Sequence, residues 1–165
     1  MHYTRLFKHL FAPHWLVGRA FPRRVLDAIG AAIGASEQSH DGELRFVVEV
    51  GLHPSPLWRG QTTRQRAVEL FAELQVWDTA NNSGVLIYVQ LVDRRIEIVA
   101  DRGISANVPQ ALWDAICRRM EAAFRERHFE PGALNAIREI TALLAQHFPP
   151  QGDNPNELPD QPVIL

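Results

Sequence analysis

The chain has 165 residues, 46% of them hydrophobic, and a formal net charge of −2. That is enough material for one domain with its own core and too little for a second, and it excludes a sequence-wide basic surface for nucleic acid. The single cysteine, Cys117, excludes an internal disulfide and a cysteine metal cluster.

Residues 1–20 form an arm in which Leu6, Phe7, Leu10, Phe11, Trp15 and Leu16 alternate with Arg5, Lys8 and Arg19, with Arg23 and Arg24 following. No stretch here has the unbroken apolar core of a signal or a membrane span, so a soluble, cytoplasmic protein is expected. The composition suits a segment docking on a protein partner or making a peripheral membrane contact, although Pro13 interrupts any continuous helix. The competing expectation is that the arm folds back and seals its own sheet.

Phe21-Pro22 opens a helix carrying Leu26, Ile29 and Ile33, closed by the polar stretch Ser36 to Gly42. Leu44, Phe46, Val48 and Val50 then alternate with Arg45, Val47 and Glu49, the period-two pattern of a strand. A loop from Gly51 to Gly60 precedes a helix from Thr63 to Trp77, with Ala67, Leu70, Phe71, Leu74 and Trp77 on one face. Val85 to Leu91 is an almost unbroken apolar run, as in a strand covered on both faces, and Arg95 to Ala100 returns after too few residues for a crossover.

The expected fold is therefore α/β: a three-layer α/β/α sandwich on a small mixed sheet with a βαβ crossover and an antiparallel hairpin. After Asp101-Arg102-Gly103, Asn107 or a neighbour is expected to cap a helix whose Leu112, Ile116, Met120 and Phe124 form a stripe widened by Trp113 and Cys117. Pro131-Gly132 then separates it from a last helix built on Leu134, Ile137, Ile140, Leu144 and Phe148. Residues 149–165 are Pro-rich and read as a disordered tail, and Pro162 to Leu165 offers a strand for a partner's sheet edge if it is not simply free.

Strand ends are where open α/β sheets bind ligands, and hard cations want several oxygen donors. If the first and third strands end at one edge, Glu49 and Asp101 meet there, with Asp78 at the exit of the crossover helix as a further carboxylate. The plainer alternatives are a turn residue, a solvated strand residue and a helix cap. His9 and His14 are five residues apart, off one helical face, and Ser36, Ser39, Ser55 and Ser83 lack a nucleophile elbow. Arg118, Arg119, Arg125 and Arg127 make a basic strip that Glu121 and Glu126 interrupt, so no nucleic-acid partner is expected.

In order as well as composition, Asn82-Ser83-Gly84, VLIYVQL, Asp93-Arg94-Arg95, IEIVA and DRGI resemble the core of the TPM domain family, with the likeness running from Phe21 to Phe148. The resemblance implies divalent-cation binding and acid phosphatase activity at an acidic cluster on the sheet edge, to which it adds Glu97 beside Asp101. The family's opening carboxylate has no counterpart between Leu16 and Pro22. The leading expectation is a non-catalytic interaction or assembly module, of a kind that suits a place beside a membrane complex, with a phosphatase as the alternative. No certain cofactor is expected, only weak Ca²⁺ or Mg²⁺ at about 10⁻⁴ to 10⁻³ M.

Overall fold

The computed structural model describes residues 2–13, 15–53, 57–152 and 155–165, apart from the side chains of residues 2–4 and 6. The Leu6 side chain, His14 and Ser55, considered above, lie outside the described residues. In chain order the elements are α1 (His2–Leu10), α2 (Trp15–Ala20), α3 (Arg23–Ser36), β1 (Glu43–Glu49), α4 (Thr63–Glu73), β2 (Gly84–Gln90), β3 (Arg95–Ala100), α5 (Arg102–Ser105), α6 (Gln110–Arg125), α7 (Phe129–His147) and β4 (Val163–Ile164).

The apolar run of β2 lies inside the sheet, whose order is β3-β2-β1-β4. β1 and β2 are parallel, from Glu43↔Gly84 to Glu49↔Gln90, with α4 crossing between them. β3 returns antiparallel from Gln90↔Arg95 to Val85↔Ala100. The side-chain alternation of these strands feeds two cores. Leu44, Phe46, Val48, Val85, Ile87, Ile96 and Ile98 join α3, α6 and α7 in one cluster, while Val47, Leu86, Tyr88 and Val99 join Ala67 and Leu70 of α4 in the other. Every residue of β1 and β2 is consequently buried, and the expected mixed three-layer fold is present.

Four local expectations are corrected. The α4 helix stops at Glu73, Gln75 takes φ +54°, and the altered phase buries Val76 while Trp77 is 48% exposed. In α6 the buried stripe passes through Trp113, Ile116, Cys117 and Met120, leaving Leu112 largely exposed, and the N-cap is Pro109 rather than Asn107. Pro131-Gly132 does not break the chain: Pro131 lies in the first turn of α7, where a missing N–H costs nothing, and Gly132 packs against Ala123 and Phe124.

The largest difference is the tail. Residues 155–165 lie along the edge of β1, where Val47 and Val48 pair in parallel with Val163 and Ile164. Leu158 is buried in the α4-side cluster, and the Arg45 guanidinium donates to the Pro159 and Gln161 carbonyls. The Leu158 N–H donates to Glu43 Oε2. The strand thus pairs within its own chain, where a free or partner-bound end was expected. No helix among the described residues is long and apolar enough to cross a membrane.

Candidate functional site

The residues expected to converge are held apart by strand direction. Since β3 runs against β1 and β2, its far end lies beside the beginning of β2, whereas Glu49 lies beside the end of β2. Asp101 lies beside Gly84 and Glu49 pairs with Gln90, six residues further along, which places Asp101 and Glu49 on the order of 20 Å apart along the sheet. Glu97 lies between them, opposite Tyr88, and Asp78 is exposed in the loop entering β2. Among the described residues no three His, Cys, Asp or Glu side chains gather as a metal group.

Each of these carboxylates has a local environment. Arg66 of α4 approaches Glu49 Oε1 at 3.1 Å, and the Tyr88 hydroxyl donates to Glu49 Oε2 at 2.5 Å. Burial, followed by the Glu49 charge, pushes the Tyr88 phenol far up, which keeps it a donor. Glu97 lies 3.8 Å from Arg64, and burial raises its pKa despite the charges of Arg64 and Arg95.

Asp101 caps α5, with Oδ1 accepting from the Arg102 N–H at 2.7 Å. Its Oδ2 is buried and has no protein partner among the described residues. Next to it the chain is tightly drawn: a Cβ on Gly103 would lie 2.6 Å from the Asn82 carbonyl oxygen and 2.8 Å from that of Asn81.

The arm is built on a different polar cluster, one that motif reading overlooked. Arg5 and His9 stand one turn apart on α1 and both reach Asp93 in the reversal between β2 and β3. The Arg5 Nη1 also donates to the Gln61 carbonyl at 2.9 Å. The Leu52 N–H donates to His9 Nδ1 at 2.9 Å, which fixes the ring tautomer with its proton on Nε2, 3.0 Å from Asp93 Oδ1. Burial works against the Asp93 charge, but the hydrogen bonds from His9 and Arg5 outweigh it and hold the carboxyl well below the usual range. The signal in the sequence was the four-residue spacing of Arg5 and His9; the His9–His14 spacing carried none.

With its polar side turned inward, the arm presents Phe7, Leu10, Phe11 and Trp15 to solvent. Behind Phe11 and Trp15 opens a groove of about 900 Å³, bounded by the arm, the β2–β3 reversal and the adjoining ends of α6 and α7.

The TPM domain model matches residues 21–143, most of the chain. This protein belongs to the TPM domain family. The chain is also similar to solved structures: the BA42 protein of the psychrophilic bacterium Bizionia argentinensis is 28% identical, with a TM-score of 0.75 over 86% of this chain and 93% of that one. The N-terminal domain of a P. gingivalis protein shares the fold at 19% identity and a TM-score of 0.62, over 79% of this chain and 82% of that one. No curated protein matches the chain. The TPM match begins at Phe21, so the arm that carries Arg5, His9 and the exposed rings lies ahead of the matched TPM segment.

Proposed function

We propose that this TPM protein works as a non-catalytic interaction module whose docking face is the N-terminal arm and the groove behind it. The supporting observation is the orientation of the arm: Arg5 and His9 are spent on anchoring it, and four large apolar side chains are left outside. A helix whose only task was to seal the sheet would bury those side chains. Contiguous exposed apolar groups on a folded domain are characteristic of contact surfaces.

The test is a photo-reactive side chain placed at Phe11 in cells, with Arg138, exposed on α7, as the control position. An adduct with a protein or a lipid, specific to position 11, is the expected result. No adduct, or the same adducts at both positions, contradicts the reading.

A second reading, a divalent-cation site with phosphatase activity, has one observation in its favour: the unpartnered Asp101 Oδ2 beside a crowded carbonyl turn. One buried carboxylate with backbone carbonyls suits only a weak hard-cation site, because charged ligands set most of the affinity. Titration with Ca²⁺ or Mg²⁺, read by amide chemical shifts, distinguishes the two. Shifts at Asp101 and Gly103 that vanish in Asp101→Asn, together with metal-dependent hydrolysis of a phosphate monoester, would favour the enzyme.

A further inference from the structure

The α1 helix is amphipathic and set inside out. Arg5 and His9 point into the fold, while Phe7, Leu10 and Phe11, with Trp15 beyond them, are 54–71% exposed. The Phe7 and Phe11 rings stack with centroids 6.1 Å apart and planes within 5°, so the exposed groups form a patch rather than isolated points.

The border of this patch is positive. Lys8, Phe11, Trp15 and Arg19 line the groove together with Arg94 and Arg127. Lys8, Arg19, Arg94 and Arg127 enter no ion pair among the described residues. The two carboxylates of the groove are already engaged, Asp93 by Arg5 and His9, and Glu121 by Arg95 at 3.6 Å and Arg125 at 3.5 Å. A chain whose net charge is −2 therefore carries a local positive pole next to a patch of exposed aromatic groups.

Shape and charge together select the occupant. A peptide lying in the groove would reach Phe11 and Trp15 but leave Phe7 and Leu10, which stand outside it on the convex side of the helix, uncovered, and two copies meeting here would bring like charges together. A bilayer needs no complementary pocket: it takes Phe and Leu at the acyl boundary, Trp at the interface, and Lys or Arg against anionic headgroups. We infer that this face docks on an anionic membrane surface, with Phe7, Leu10, Phe11 and Trp15 inserted and Lys8, Arg19, Arg94 and Arg127 at the phosphate level. The inference rests on the docking-face reading above and names its partner.

The test is co-flotation of the full chain with vesicles of equal parts phosphatidylcholine and phosphatidylglycerol, and with pure phosphatidylcholine. Binding to the mixed vesicles alone, weakened by added salt, is expected. Phe11→Ser with Trp15→Ser, and separately Lys8→Glu with Arg19→Glu, should each lower the bound fraction roughly tenfold. All four side chains are exposed, and thermal melts of both variants report whether the fold is kept. Failure to float with mixed vesicles, or unchanged binding by both folded variants, overturns the inference. If the chain stays off vesicles yet position 11 still cross-links a protein in cells, the membrane is the wrong partner and the docking face stands; if neither occurs, both fall.

Discussion

Arg5 and Asp93, 88 residues apart, meet in a two-pronged ion pair, with Nη2 at 2.6 Å from Oδ2 and Nε at 3.1 Å from each carboxylate oxygen. With His9 on the same carboxylate, this pair joins the arm to the turn of the β-hairpin. The Asp93 side chain is 16% exposed, so water screens the contact only partly.

Asp93→Asn should therefore cost about 1.5–3 kcal/mol at neutral pH, the range for hydrogen bonds to a charged group. Because the folded pKa is depressed, the contribution is present above the unfolded value, near 4, and is lost as pH falls through the folded value. Urea melts of the two proteins should differ most near neutrality and converge in acid. A gap that widens as pH falls contradicts this role.

Glu37 behaves in the opposite sense. Burial, and then the neighbouring Glu43 and Asp160 carboxylates, push it up to about 8, against the Leu44 N–H bond that favours its charge. A raised folded pKa gives stability that is present below the unfolded value, near 4.5, and lost as pH rises to about 8. Glu37→Gln keeps an acceptor for Leu44 and removes the titration. It should flatten the stability profile over that window and be more stable than the parent at its alkaline end, as read by melts across pH.

Among the described glycines, Gly84 has the least room for a side chain. A Cβ there would lie 1.9 Å from the Val76 carbonyl oxygen, where the turn after α4 crosses the start of β2. Gly84→Ala should destabilise by about 3 kcal/mol or more, or prevent folding. Gly18→Ala, which meets nothing within 4 Å on α2, should be near neutral or slightly stabilising. Expression and thermal melts of the pair check the contrast.

The tail gives a test of the sheet edge. Leu158→Ala removes a side chain packed in the α4-side cluster and should cost about 2–4 kcal/mol. Backbone relaxation should show rigid amides from Glu157 to Leu165, except at Pro159 and Pro162, which have none. Fast motion across that stretch contradicts the pairing of β4 with β1.

The parts of the fold legible in the sequence are those set by local period: the buried run of β2, the short return into β3, and the crossover of α4. The tail was illegible because β4 has two residues amid prolines, and its anchors, Glu43 and Arg45, sit on β1 in what looks like the solvated half of an alternating strand. The separation of Glu49 from Asp101 follows from strand direction, which residue types alone do not reveal. The Arg5–His9–Asp93 cluster needed the contact between chain start and hairpin, a long-range pairing with only a one-turn spacing to announce it.

The central claim is that the arm turns its polar side inward and its rings outward, and hydroxyl-radical footprinting reads both sides of the helix at once. The expected result is heavy oxidation at Phe7, Phe11 and Trp15 with His9 protected, and a gain of oxidation at His9 in Asp93→Asn. Protection of Phe11 and Trp15 in the isolated protein, with His9 open to oxidation, would contradict the claim and return the arm to the role of a lid on its own core.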